Sequence, residues 1–125
     1  MNVNRVIGEL KKLYSDKDII INNKAGDNEI ICEIKSTYDF PEESVALAVI
    51  GKSAPHYHKK SIEIYEVVKG KMTLFIEDKS FLMKKGDRKK ILPNKIHWVK
   101  TDGQCWFLTY SKPGWTSKDH IVVGK

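Results

Sequence analysis

The sequence predicts an all-β protein, a sandwich or barrel of short strands preceded by a single α-helix. Three observations support this prediction. Apolar residues recur at helical spacing over residues 3–14. From residue 28 onward, short β-rich runs alternate with turn residues such as Pro93-Asn94. No further helical pattern separates these runs, so the strands are expected to pair antiparallel.

The helix is predicted from Val3, Val6, Ile7, Leu10 and Leu13, which follow one another at intervals of three or four residues. That spacing places all five side chains on one helix face. A turn over residues 15–18 and a short apolar run at 19–21 follow the helix.

Eight runs of residues after the helix have the composition of β-strands. They cover residues 29–34, 44–50, 63–68, 72–77, 80–83, 89–92, 98–101 and 106–110. Turns are expected between them, among others at Lys69-Gly70 and Asp102-Gly103. In the last run Trp106 and Leu108 share one face and Phe107 lies on the other, but the alternation leaves open which face is inside.

Length and charge limit the classes of protein to consider. At 125 residues the chain is predicted to form one domain, residues 1–125. The net charge is +6, but only two of the 22 basic residues are arginines, and eight lysines lie in adjacent pairs at predicted turns or strand ends. Nucleic-acid recognition relies on arginine forks and clustered basic stripes, so no nucleic-acid partner is expected.

The compartment is predicted from the termini and the cysteines. No stretch approaches the roughly 20 apolar residues of a membrane span, and the N-terminus lacks the apolar core of a signal peptide. Cys32 and Cys105 lie far apart, each within an apolar run, and are predicted to be buried free thiols. A cytoplasmic protein without a membrane partner is therefore expected.

Histidines carry the chemical signal of this sequence. His56 and His58 lie two residues apart, so on an extended segment both imidazoles point to the same face. Glu63 begins the next predicted strand and His97 another. Imidazole and carboxylate donors without a thiolate suit Zn, Fe, Mn, Ni or Cu, and four protein ligands leave positions open for water or substrate.

The spacing of these residues resembles the two signature motifs of the cupin superfamily. The first motif is carried by Gly51, His56, His58, Glu63 and Gly70, with one residue fewer than usual after Gly51, and the second by Gly86, Pro93 and His97. The second motif departs from the family pattern because its internal glycine is missing and Thr101 stands where asparagine is usual. The resemblance covers about residues 45–110.

The resemblance implies a fold and a ligand set. It implies a double-stranded β-helix, the jelly-roll barrel of cupins, and it maps His56, His58, Glu63 and His97 onto the ligands of one divalent transition metal ion. It also implies a small-molecule substrate and a homodimer. The segment from Pro113 through Trp115 to Asp119 is similar to the tail of small sugar-related cupins, including phosphomannose-isomerase-like members.

Three further residues are interpreted by strand parity and position. Tyr65 shares the face of Glu63 and is a candidate to move a proton in the pocket, with a core tyrosine as the alternative. Trp98 follows His97 directly and is predicted to face away from the site. His120 lies outside both motifs near the chain end and is expected at the surface.

Several functions are compatible with this ligand set. The leading hypothesis is a metal-dependent, isomerase-like enzyme acting on a small substrate with adjacent hydroxyl and carbonyl oxygens, such as a sugar or sugar acid. The alternatives are a non-haem iron dioxygenase and a binding module without turnover, because fold alone does not decide function. One helix is too little for a helix-turn-helix, which disfavours a transcription regulator.

Overall fold

One helix and nine strands make up the part of the chain that the computed structural model describes, residues 1–24 and 26–124. The helix is α1 (Val3–Leu13). The strands are β1 (Ile19–Asn22), β2 (Asn28–Lys35), β3 (Ser44–Lys52), β4 (His56–Tyr57), β5 (Ile62–Ile76), β6 (Lys79–Lys84), β7 (Arg88–Ile91), β8 (His97–Lys112) and β9 (Ile121–Val122). A 3-10 turn, Ser117–Asp119, precedes β9. Every strand pair is antiparallel, as predicted.

Helix α1 forms where the apolar spacing predicts it. The Asn2 side chain accepts a hydrogen bond from the Arg5 N–H at 3.1 Å and so caps the first turn. Val6 and Leu10 are buried against the outer face of the sheet, where Val49 and Trp106 belong to the same apolar cluster. The chain's own sheet therefore covers the apolar face of the helix.

Strands β5 and β8 are longer than the sequence predicts. The expected turns at Lys69-Gly70 and Asp102-Gly103 are wrong, because strands β5 and β8 continue through these positions and only shift their register against each other. Gly70 has a φ of +86°, and a Cβ there would lie 3.1 Å from the Gln104 carbonyl oxygen. Such irregularities bend a strand pair, which curls the sheet into a half-barrel.

Strand alternation separates two apolar clusters on the two faces of the curled sheet. The inner cluster includes Tyr65, Val99 and Phe107, and the outer one includes Leu47 and Trp106 beneath α1. Both faces of β8 are thus buried, since the barrel interior covers one and the helix covers the other. In β8, Phe107 therefore faces the barrel interior, and Trp106 faces the helix.

Predictions for the other buried residues are also confirmed. Cys32 and Cys105 are buried free thiols. The Trp98 ring stacks on Phe75 with 4.9 Å between centroids, while the neighbouring His97 is fully buried. Within the described ranges, no helix has the length and apolar character needed to cross a membrane.

Candidate metal centre

The four predicted ligand residues meet on the inner wall of the half-barrel. His56 on β4 pairs directly with His97 at the start of β8, His58 follows β4, and Glu63 lies on β5. Each is at most 5% exposed. One nitrogen or oxygen from each residue can be chosen so that all four atoms lie within 4.8 Å of one another. The structure therefore brings together, from three strands and a connecting segment, four groups that could hold a metal ion.

Each histidine is oriented by a backbone carbonyl. His56 Nδ1 lies 2.8 Å from the Ala54 oxygen, His58 Nδ1 lies 2.7 Å from the Asp119 oxygen, and His97 Nδ1 lies 2.9 Å from the Lys95 oxygen. A carbonyl oxygen only accepts, so the Nδ1 atoms are the donors. In a neutral imidazole the lone pair is then on Nε2, which is the arrangement that metal-binding histidines adopt.

The Nε2 atoms test whether a metal ion fits the site. His58 Nε2 and His97 Nε2 lie 3.0 and 3.2 Å from the same Glu63 oxygen. The His58 atom is buried and has no hydrogen bond to the described residues. A nitrogen lone pair and a carboxylate oxygen this close repel each other unless a cation, either a proton or a metal ion, lies between them. Donors at ~2.1 Å from a shared ion lie at most about 4.2 Å apart, so a small contraction of the cluster suffices.

The protonation states also suit a cation. Burial favours the neutral acid at Glu63, but the nearby His58 and His97 outweigh it and hold the pKa of Glu63 well below its usual range. Ser111 donates a further hydrogen bond to the other carboxylate oxygen at 3.3 Å. Burial, followed by the nearby His97, lowers the pKa of His56 to about 3. The centre thus contains a carboxylate and a neutral imidazole near neutral pH.

Two carboxylates outside the predicted motifs support the histidines from behind. The Asp27 side chain accepts a hydrogen bond from the Ala54 N–H at 2.6 Å. The Ala54 carbonyl oxygen in turn accepts from His56 Nδ1. The Asp119 side chain accepts from the backbone N–H groups of residues 59–61, the segment between His58 and Glu63. Both aspartates lie far from the motifs in sequence, so strand patterns could not place them.

His120 belongs to the site, and the expectation that it is a surface residue is wrong. Its ring stacks on His56 with 4.3 Å between centroids and 12° between planes. The Trp115 indole N–H donates to His120 Nδ1 at 3.2 Å. The contact arises because the two-residue strand β9 pairs with β4. Strands this short carry no periodic signal in a sequence.

A cavity of about 470 Å³ opens in front of the cluster. Its walls are partly apolar, with Ala48, Ile50 and Phe107, and carry polar groups that sequence reasoning did not find, including Asn22 and Glu29. A concave, mainly apolar space with a few polar groups is the usual form of a small-molecule site.

Tyr65 satisfies both interpretations of its position. It lines the cavity and also packs in the inner core, with its ring centroid 4.7 Å from that of Phe107 and 6.0 Å from that of His97. Burial, followed by the Glu63 charge, raises the pKa of Tyr65 well above its usual value. The hydroxyl therefore keeps its proton at neutral pH.

Comparison of the sequence with known proteins finds a relative of similar length. No protein-family model matches the chain. An uncharacterized protein of Aquifex aeolicus is 28% identical over 118 residues, covering 89% of this chain and 97% of its own length.

Three solved structures share the architecture at low sequence identity. Pac13, a nucleoside dehydratase of Streptomyces, is 17% identical with a TM-score of 0.70, over 87% of this chain and 86% of that chain. KdgF from Halomonas sp. is 14% identical with a TM-score of 0.69, over 82% and 93%. Oxalate decarboxylase from Bacillus subtilis is 15% identical with a TM-score of 0.72, over 88% of this chain and 31% of that chain.

These neighbours are cupin-fold proteins, and the chain has the cupin β-barrel that its two motifs imply. Together with the His/His/Glu/His cluster, the fold supports a metal-binding cupin. The neighbours named as a dehydratase and a decarboxylase carry out different reactions on this barrel. The shared fold therefore does not determine the reaction, which depends on the residues of the cavity.

Proposed function

We propose that the protein is a metal-dependent enzyme of the isomerase type, acting on a small polar substrate with adjacent carbonyl and hydroxyl oxygens, such as a sugar or sugar acid. His56, His58, Glu63 and His97 are the proposed ligands of one divalent transition metal ion. The observation that carries the proposal is the buried His58 Nε2, which has no hydrogen-bond partner among the described residues and faces Glu63 next to a cavity.

In this proposal the cavity residues enclose the substrate next to the metal ion. When bound, a divalent metal ion supplies Lewis acidity toward the substrate's oxygens. The apolar wall of Ala48, Ile50 and Phe107 excludes water from the reacting carbon, and the volume of about 470 Å³ suits a small molecule.

Tyr65 is proposed as a catalytic residue with a restricted role. Its hydroxyl belongs to a residue that lines the cavity, but its raised pKa disfavours the phenolate that a base requires. We therefore assign Tyr65 to donating a hydrogen bond to a substrate oxygen beside the cluster.

Metal analysis of protein purified without added metal tests the ligand assignment. We expect about one transition metal ion per chain in the wild type and a severe loss in His58→Ala, since even changes to residues behind the ligands cost ~10–100-fold in affinity. Lys59→Ala is the matched control, because that exposed neighbour lies at the same end of β4. His120→Ala should show a smaller loss, since its ring supports His56 by stacking. Equal metal content in His58→Ala and Lys59→Ala contradicts the proposal.

Oxygen consumption distinguishes the isomerase type from the dioxygenase alternative. The donor set contains three histidines and one carboxylate, and imidazole and carboxylate donors also suit iron in oxygenases. Iron-loaded protein that consumes oxygen with a sugar or sugar acid favours the dioxygenase. A change in the sugar without oxygen uptake favours the isomerase type.

We also propose that the protein is a homodimer, as the resemblance implies. The chain's own sheet buries Val6 and Leu10 on the apolar face of α1, which leaves Leu13 as its exposed apolar residue. The edge strand β1 instead exposes Ile20 and Ile21, at 41% and 51%. Unpaired edges of this kind pair readily with a second copy. Sedimentation at micromolar concentration tests the prediction, and a monomer contradicts it.

A further inference from the structure

The wall of the cavity carries a second carboxylate-bearing group, built from Asn22, Asp27 and Glu29. The Asn22 amide nitrogen donates to an Asp27 oxygen and to a Glu29 oxygen, each at 3.0 Å. All three side chains line the cavity that also contains His58 and Glu63. The group lies on β1, β2 and the turn between them, outside both sequence motifs.

The two carboxylates of this group are bound differently. Asp27 is buried and uses both oxygens, one toward Asn22 and one toward the Ala54 N–H. Glu29 uses one oxygen toward Asn22, and its other oxygen has no hydrogen bond to the residues that the structure describes. Asp27 therefore has a structural role, whereas Glu29 offers a free oxygen to whatever occupies the cavity.

We propose that Glu29 is a further catalytic residue, the acid and base that moves a proton on the ligand held in the cavity. The inference rests on the proposed function, because that function places a carbonyl or hydroxyl oxygen of the substrate near His58. The carbon that gives up its proton is the neighbour of this oxygen-bearing carbon. The unpartnered His58 Nε2 independently marks that side as a place for a ligand.

The step is a balanced proton transfer without a further reactant. The free Glu29 oxygen takes the proton from the carbon next to the carbonyl. The electrons of the broken C–H bond form a C=C bond, and those of the carbonyl π bond move to its oxygen. Glu29, now the neutral acid, returns the proton to the neighbouring carbon, and the hydroxyl proton moves to the former carbonyl oxygen, so the substrate is isomerised.

The environment of Glu29 suits both halves of this transfer. Burial in the wall is the main cause that raises the pKa of Glu29 to about 7, the Asn22 hydrogen bond partly offsets it, and the charges of Asp27 and Glu63 add to it. A carboxyl with a pKa near the working pH both takes and returns a proton efficiently. The pKa of Tyr65 is raised well above its usual value, so its hydroxyl can donate a proton but does not take one from the substrate.

Two measurements on Glu29→Gln test the proposal. Glutamine keeps the oxygen that accepts from Asn22, and Glu43→Gln is the control because Glu43 is exposed. In metal-free, ¹³C-labelled protein, we expect a carboxyl signal that titrates near pH 7 and is absent only from Glu29→Gln. In D₂O, we expect the zinc-loaded wild type and Glu43→Gln to exchange carbon-bound hydrogen of dihydroxyacetone, D-fructose or D-glucuronate, and Glu29→Gln to be slower by about 100-fold or more.

Zinc titration separates the failure of this inference from the failure of the proposed function. If Glu29→Gln binds zinc like the wild type but loses exchange, the inference is supported. Exchange at the wild-type rate in Glu29→Gln overturns it, as does a Glu29 carboxyl titrating near 4.5, or a zinc-binding wild type that exchanges none of the three probes. If the wild type binds no zinc, the metal assignment fails, and the same exchange comparison on metal-free protein still decides the role of Glu29.

Discussion

Asp119, near the end of the chain, makes hydrogen bonds to His58 and to the segment that follows it in the proposed metal centre. Replacing Asp119 by alanine tests whether its side-chain hydrogen bonds support the site. Its carboxylate accepts from the backbone N–H groups of Lys59, Lys60 and Ser61 at 2.7, 3.1 and 3.2 Å. Its backbone oxygen accepts from His58 Nδ1. The side chain thus fixes the segment that joins two proposed ligands.

The expected loss of stability follows from the three hydrogen bonds. A bond to a charged group contributes ~1.5–3 kcal/mol when buried, but water can replace the carboxylate at exposed or half-buried N–H groups. Allowing ~0.5–1 kcal/mol for each bond gives a loss of about 2 kcal/mol in Asp119→Ala. For a chain of 125 residues, 1 kcal/mol corresponds to about 4 °C, so we expect the Tm to fall by about 8 °C.

Metal affinity should fall together with stability, because the freed segment no longer holds His58 in place. We expect a ~10–100-fold weaker affinity for zinc, the range for residues that orient metal ligands. Calorimetric titration measures the affinity and thermal unfolding of the metal-free protein measures the Tm, with the exposed Asp16→Ala as the control. If Asp119→Ala loses stability but binds zinc like the control, the carboxylate supports only the fold and this reasoning is wrong.

Two further predictions concern the core and the cavity. Leu10→Ala should lower the free energy of unfolding by ~2–5 kcal/mol, because the side chain is fully buried beneath α1. Leu13→Ala, 63% exposed, should change it by less than ~0.5 kcal/mol, and equal losses in urea denaturation contradict the packing. The raised pKa of Glu29, about 7 against 4.5 in the unfolded chain, stabilises the fold below pH 4.5, and this contribution is lost as the pH rises through 7. From pH 4.5 to 8 the wild type should therefore lose about 3 kcal/mol more than Glu29→Gln, whereas parallel denaturation profiles contradict the buried acid.

The fold class could be predicted because it depends on local patterns. The helix follows from apolar spacing, and most strands follow from runs of β-branched and aromatic residues. The turns at Gly70 and Gly103 were predicted wrongly because glycine marks both turns and strand irregularities. Only the pairing partner distinguishes the two, and at Gly70 that partner is Cys105 on the far strand β8.

The spatial cluster of His56, His58, Glu63 and His97 could be predicted for a different reason, since these residues lie in short motifs with fixed spacing. His56 and His58 share a face by strand parity alone. His120, Glu29 and Asp27 could not be found in this way, because they reach the cavity through the β4–β9 and β1–β2 pairings. Strands β4 and β9 are far apart in sequence, and β1, β4 and β9 contain only two to four residues each.

Support for the centre extends beyond the barrel predicted over residues 45–110. Asp27 precedes that range and holds the Ala54 N–H behind His56, while Asp119 follows it and accepts from His58. A neutral imidazole presents its Nε2 lone pair to a metal ion only if Nδ1 keeps its proton, and carbonyl acceptors enforce that state. Because one such carbonyl belongs to Asp119 and another is fixed by Asp27, both flanking segments are part of the proposed metal centre, although the four ligand side chains all lie within the barrel motifs.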